Sequence, residues 1–293
     1  MADFSATVPR IFDSRAYAMH RARAARRGQE SFLVADVAEN LSERLGAVNR
    51  AFAAALDLNS RDVAFRIIQS RAAQWTRTAL SKNEEALSFG AGAFDLVISA
   101  LSLHAVNDLP GALSEIRRVL KPDGLLLAAL FGGGTLGELR RAFAFGESET
   151  IGGVSPRVAP FADVRDLGGL LQRAGFALPV ADAERIDVAY GDFSTLVNDL
   201  RALGETNALA ERSRKFLRRD TLAATLSNYS ATDADESGRL RATFDVIYLT
   251  AWAPHESQQK PLAPGSAKTR LADALGAQEK SAGEPAPGRS PKT

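Results

Sequence analysis

The sequence predicts a doubly wound α/β sheet preceded by helices, and three stretches carry that prediction. "FDLVISAL" (Phe94–Leu101) and "LLLAALF" (Leu125–Phe131) are continuous apolar runs rather than alternating ones. Strands covered on both faces have this pattern, which belongs to the middle of a parallel sheet. Between them, Leu113, Ile116, Arg117 and Leu120 recur at helical spacing within Leu109–Leu120, and "KPDG" then stops the helix and turns the chain. Strand, helix, turn and strand make a βαβ unit with a right-handed crossover. Ahead of it, Ala53–Leu58 is a short apolar run that includes the acid Asp57 near its end. In such folds the ligand crevice opens at the carboxyl ends of the strands.

The other elements follow in order. In "DVAENLSERL", Val37, Ala38, Leu41 and Leu45 share a helical face, so residues 10–47 read as one or two helices before the sheet. The stretch 61–80 fits two patterns. Val63, Phe65 and Ile67 alternate as in a strand, while Val63, Ala64, Ile67, Ile68 and Ala72 form a helix face; the helix is the preferred reading. A whole βαβ unit takes about 30 residues, and the interval from Asn59 to Asn83 is short for two crossovers and a strand. One element is therefore expected to be missing near residues 60–80. "FGGGTLGELRRAF" predicts a glycine-rich loop opening a helix near Thr135, and Phe161–Ala174 predicts a helix closed by Gly175. Strand-like pieces in Ala177–Tyr190, helices at Phe193–Leu203 and Thr221–Tyr229, and a strand at Leu240–Trp252 complete the pattern. After Pro254 the chain is rich in Gln, Lys, Pro, Ala, Gly and Ser and is expected to be disordered. The domain plan is a helical segment over 1–50, a sheet domain over 51–253 with a helical insertion on its substrate side, and a tail over 254–293.

Composition excludes several functions. The net charge of +1 gives no reason to expect a nucleic-acid partner, and no apolar run reaches the length of a membrane span. With no cysteine, disulfides and thiolate metal sites are excluded. His20, His104 and His255 are too scattered for a local metal motif, so no metal site is assigned. Arg10, Arg15, Arg21, Arg23, Arg26 and Arg27 make the start of the chain basic. A transit peptide has that composition, and so does a solvated basic helix; Asp3 and Asp13 weigh against the transit peptide.

"NEEALSFGAGAFDLVISALSLHAVNDLPGALSEIRRVLKPDGLLLAALFGG" resembles the class I S-adenosylmethionine-dependent methyltransferases, which include malonyl-carrier-protein and quinone-ring methyltransferases. "VPRIFDSRAYAMHRARAA", "FGGGTLGELR", "SPRVAPFADVRDLGGLLQRAGF", the segment from Asp220 and "WAPHESQQKP" narrow the likeness. They resemble the methyltransferase-like assembly factors of respiratory complex I, over roughly Val8 to Pro261. The resemblance implies a Rossmann-like class I methyltransferase fold and S-adenosylmethionine as cofactor. It also implies hydroxylation of an arginine on a complex I subunit, which would be the protein partner. The Ala/Arg-rich composition suits a bacterial cytoplasm, with the mitochondrial matrix as the alternative.

The same resemblance points to site residues. Family members resemble "ALDLGCGRG" where this chain reads "ALDLNSRDV", so Asn59, Arg61 and Val63 stand at glycine positions. Asp57 either helps hold the methionine amino group, as the resemblance implies, or caps the next helix. No acid follows at the place expected to bind the ribose hydroxyls; Asp62 comes too early. Asn83 stands where the family has an adenine-binding Asp, with Glu84 and Glu85 beside it, and these acids also fit a solvated turn. Ser99, Ala100 and Leu101, followed by Ser102, would line the crevice. His104 is the candidate for proton transfer, or a structural histidine bonded to the loop. Asn107 and Asp108 are expected to cap the next helix. Gly132–Gly134 would cradle an anion or admit a protein substrate; Glu138, Arg140, Arg157 and the segment from His255 would line that approach or remain exposed polar surface. Three functions are left open: a modifier of a protein arginine, a methyltransferase acting on a small or carrier-bound substrate, and a non-catalytic assembly protein that has lost its cofactor.

Overall fold

The continuous apolar runs form the middle of a six-stranded sheet ordered β2-β1-β3-β4-β6-β5. The strands are β1 (Phe52–Leu58), β2 (Ala72–Thr78), β3 (Phe94–Ala100), β4 (Leu120–Phe131), β5 (Ala177–Tyr190) and β6 (Leu240–Trp252). β1 lies parallel to β2 and β3, and β3 parallel to β4. β6 runs antiparallel between β4 and β5. Every residue of β3 is buried, whereas the edge strand β2 is half-buried or exposed throughout. The computed structural model describes residues 9–29, 31–79, 87–259, 266, 269 and 271–277. Asn83, Glu84 and Glu85 lie outside the described residues.

Helices cover both faces. They are α1 (Ser14–Arg27), α2 (Phe32–Gly46), α3 (Asp62–Ile68), α4 (Leu109–Val119), α5 (Gly137–Ile151), α6 (Val164–Arg173), α7 (Phe193–Leu203) and α8 (Arg219–Asp233). One core forms where α2, α3, α5, α7 and α8 meet the sheet, and a second where α4 and α6 meet its other face. The α2 stripe predicted from Val37, Ala38, Leu41 and Leu45 is buried in the first core. α1 differs: only Ala16 and Ala24 of its residues are buried. Asp13 caps it through the Ala16 N–H, and Gly28 closes it at φ 63.

Residues 61–80 correct the sequence reading. The preferred helix holds over Asp62–Ile68, which includes the alternating Val63, Phe65 and Ile67, while Ala72, read as part of the helix face, begins a strand. α3 has seven residues, and β2 then pairs with β1 from Phe52↔Ala72 to Leu58↔Thr78. The second strand is therefore present, and among the described residues no helix stands between it and β3. It was illegible because "AAQWTRT" is an edge strand with little apolar surface. β4 also starts earlier than predicted. "KPDG" forms a bulge in the strand, with Asp123 at φ 62 and a register shift against β3 before pairing resumes at Leu125.

The chain divides into two compact units, Met1–His255 and Glu256–Thr293. The first holds α1–α8 and the whole sheet. The second, among its described residues, contains a short helix, α9 (Leu271–Leu275), where the sequence predicts only a tail.

α5 and α8 cross at Gly146. A Cβ there would stand 2.8 Å from the Thr225 nitrogen and 2.9 Å from the Thr221 oxygen, both backbone atoms of α8. Backbone cannot move aside as a side chain can, so Gly146→Val is expected to cost about 3 kcal/mol or more. Urea unfolding checks this against Gly153→Ala, whose site has nothing within 4 Å and which should unfold as wild type.

Candidate active site

The strand order reverses between β1 and β3, because the chain leaves β1 for β2 on one side and returns to β3 on the other. The carboxyl ends of these two strands are thus the crevice of a doubly wound sheet. Asn59 at φ 57 and Leu101 at φ 51 turn the chain there. Their carbonyls are already bonded. Arg21 of α1 donates through Nη2 to the Asn59 oxygen at 2.5 Å and through Nη1 to the Leu101 oxygen at 3.1 Å.

The other expected crevice residues are bonded to one another. Asp57 is fully buried; Oδ1 accepts from the Ser60 N–H at 3.3 Å and Oδ2 from Arg77 Nε at 2.9 Å. It ties the turn and does not cap α3, whose N-cap is Arg61. Arg77, near the end of β2, also reaches Asp62 at 2.8 Å. The Ala100 N–H donates to Ser60 Oγ at 3.0 Å. Ser99 and Ser102 share a 2.7 Å hydroxyl contact, and Ser102 donates to the Leu58 oxygen. Arg61 donates to the Ala202 oxygen at 2.8 Å, while its Nη2 is buried without a partner. Burial, with Arg21 nearby, pulls the Arg61 guanidinium down to about 10. An ammonium group of S-adenosylmethionine would meet the Arg21 guanidinium already placed on both carbonyls, with the Arg61 guanidinium nearby. The crevice in this conformation does not fit that cofactor.

Beside the crevice lies a cavity of about 220 Å³. For scale, an apolar cavity of about 150 Å³ takes up benzene. Phe131, Phe143, Phe161, Phe193 and Phe244 line it, together with Tyr17, His104, Arg157 and Glu205. His104 sits on a tight turn, Leu103–Ala105, just past β3. Its ring meets Phe131 at 4.8 Å and Phe161 at 5.4 Å between centroids. Glu205 follows α7. Gly204 closes that helix at φ 69, and the Glu205 N–H returns to the Leu200 oxygen, which fixes the residue just past the helix end.

Glu205 is the charged centre of the wall. Oε2 lies 3.1 Å from His104 Nε2, Oε1 accepts from the Tyr17 hydroxyl at 3.0 Å, and Arg21 Nη1 stands 3.8 Å away. Burial alone would raise its carboxyl, but His104, Arg21 and Arg61 outweigh that and hold it below the ordinary glutamate value. Burial and the Glu205 charge push the Tyr17 hydroxyl up, so it stays a donor. His104 meets this carboxylate through Nε2. Its other ring nitrogen, Nδ1, is buried and has no hydrogen-bond partner among the described residues. A buried polar nitrogen without a partner is costly until a ligand supplies one.

The remaining predicted residues take structural places. Asp108 caps α4, whereas Asn107 pairs with the backbone of Phe12. The Gly132–Gly134 loop makes room for neighbours: a Cβ on Gly134 would run into the Asp245 carboxylate. That negative group beside the loop argues against an anion cradle. Glu138 bonds Thr243, and Arg140 bonds the carbonyls of Thr135 and Ala159. Arg157 pairs with the buried Glu147, while His255 is exposed. Tyr17, Arg21 and Glu205 were not singled out by sequence. The four-residue spacing of Tyr17 and Arg21 was a signal that both face one side of α1.

Comparisons with known proteins agree with this architecture. The family model for a methyltransferase domain matches residues 37–128. The YcgJ protein of Bacillus subtilis shares the fold, with a TM-score of 0.50 at 12% identity, over 74% of this chain and 99% of that one. The class is therefore that of proteins with a methyltransferase fold. The arginine-hydroxylase NDUFAF5 of Danio rerio is 37% identical over 262 residues, covering 83% of this chain and 81% of that protein. The Homo sapiens protein of the same name is 38% identical over 80% of this chain and 74% of its own length. The chain belongs to the NDUFAF5 arginine-hydroxylase family. A malonyl-[acyl-carrier protein] O-methyltransferase of Laribacter hongkongensis is 39% identical over 62% of this chain and 58% of its own. Among the described residues no helix is long and apolar enough to cross a membrane.

Proposed function

We propose that this protein modifies an arginine side chain of a protein partner, a complex I subunit, and that the arginine enters the phenylalanine-lined cavity beside His104 and Glu205. Membership of a family named for arginine hydroxylation supports the substrate class. The observation that carries the reading is the unpartnered His104 Nδ1 in a cavity wall that also holds an ionised carboxylate. A guanidinium brings five N–H donors and a positive charge. One donor satisfies Nδ1, and the charge is drawn to Glu205. Tyr17 and His104 are its two hydrogen-bonded partners, so acceptor capacity remains on its oxygens. The aromatic walls hold the aliphatic stem and favour a cation over their faces.

A carrier-bound malonyl acid fits less well, because it would bring a second carboxylate against Glu205. In the proposed role His104 and Glu205 orient the guanidinium, and the surrounding phenylalanines exclude water. S-adenosylmethionine is the cofactor class that goes with a methyltransferase domain. The location that goes with this reading is the bacterial cytoplasm or the mitochondrial matrix.

Deleting the protein in its own cells and weighing the peptides of complex I subunits tests the proposal. One arginine peptide should become lighter by an oxygen atom and regain that mass on complementation. Unchanged masses of all arginine peptides would refute it.

A further inference from the structure

We infer that α1 is a built-in occupant of the cofactor crevice, held there by Arg21, and that a cofactor bearing an α-amino group enters only when α1 withdraws. The inference rests on the topology and on the hydrogen bonds at the switch point, not on the arginine reading. Two carbonyls face the crevice from neighbouring strand ends, and a single guanidinium bridges both. A ligand ammonium needs acceptors of the same kind, in the place that a doubly wound sheet offers to ligands. Arg21 and such an ammonium therefore exclude each other. Asp57 is fully buried and already pairs with the Arg77 guanidinium, so it offers no unpaired charge to a ligand.

α1 is also the element best suited to leave. α2 buries Leu33, Val34, Val37, Ala38, Leu41 and Leu45, whereas α1 buries two alanines. Besides Arg21, α1 is tied down by polar contacts. Tyr17 bonds Glu205, His20 lies 3.2 Å from the Thr206 oxygen, and the Asp13 cap pairs with Arg212 at 3.0 Å. Elements with few buried apolar contacts open at the low end of the stability range. Gly28, at φ 63 with nothing within 4 Å of a built Cβ, ends the helix and leaves the chain room to pivot. Cationic crowding adds a reason for the crevice to stay closed to a second cation. Arg61 is half-buried next to Arg21, and its Nη2 has no partner among the described residues.

If the closed form dominates, apparent affinity is reduced by the fraction of open molecules. Relieving that penalty should tighten binding by about tenfold when no more than about a tenth of the molecules are open. Calorimetric titration of the full chain with S-adenosylmethionine tests this in wild type, Arg21→Met and Arg21→Lys. Methionine keeps the apolar stem and removes the donors, so this variant should bind at least about tenfold more tightly. Lysine keeps the charge but cannot bridge both carbonyls with a planar fork, so it should fall between. It also keeps the test alive should the methionine variant fail to fold. In wild type, saturating cofactor should speed hydrogen exchange of the Ser14–Arg27 amides. Equal affinity in all three proteins, binding by none of them, or unchanged α1 exchange at saturation would each overturn the inference. None of these readouts involves an arginine substrate, so their failure is distinct from failure of the proposed function.

Discussion

Glu205→Gln is expected to abolish arginine modification and to cost about 3–5 kcal/mol of stability, the usual effect of breaking a buried ion pair from one side. The carboxylate is the counter-charge for Arg21 and Arg61 and the acceptor for Tyr17 and His104. An amide keeps the shape, but it loses the charge and puts an NH₂ against one of those donors. The same group makes stability depend on pH. Its folded value lies below the ordinary 4.5, so its contribution is complete above that value and is lost as pH falls toward the depressed one. The Gln variant should therefore lose part of the wild type's stability gain between acid and neutral pH. Denaturant unfolding over that range measures it. His104→Phe keeps the ring packing against Phe131 and Phe161 and takes one partner from Glu205, which retains Tyr17 and Arg21, so it should cost less stability than Glu205→Gln. It should fold, and it should lose arginine modification.

Arg157→Ala carries the second large effect. Glu147 is fully buried on α5 beside Gly146, and Ser155 and Arg157 hold it. Burial would raise this carboxyl, but those hydrogen bonds outweigh it and keep it ionised. Removing Arg157 leaves a buried carboxylate without its counter-charge, at about 3–5 kcal/mol. Arg157 also lies 5.3 Å from the Phe143 ring centroid, so the cavity wall loosens with it. Glu147→Gln with Arg157→Met should recover much of the loss, since a neutral pair of similar volume leaves no buried charge. Thermal melts of the single and double variants measure the coupling.

Which parts of this molecule were legible follows from what each residue packs against. β3 and β4 announced themselves because both faces are buried, and α2 because its stripe faces one core. β2 did not, since an edge strand of "AAQWTRT" lacks an apolar run and lies directly behind a helix. The polar residues Asn59 and Arg61 after the first strand were visible in "ALDLNSRDV". Their physical consequence was not, because the group bonded to the Asn59 carbonyl is Arg21, far upstream on a helix that reads as a solvated basic segment. His104 was legible as a titratable residue after a buried strand. Glu205 was hidden in a loop of small and polar residues, and only the closure of α7 at Gly204 brings it to His104. Long-range side-chain pairs of this kind leave no periodicity to read.

In the proposed function a guanidinium enters the cavity beside His104 and Glu205. Titration of the full chain with a short arginine peptide, and with the same peptide carrying citrulline, tests it most directly. The two peptides match in shape, but citrulline has no charge and fewer donors. The arginine peptide should bind saturably and at least about 30-fold more tightly, the lower end of what one lost partner of a buried charge pair costs. It should also lose that advantage in Glu205→Gln. Equal binding of the two peptides, or binding that Glu205→Gln leaves unchanged, would contradict the account.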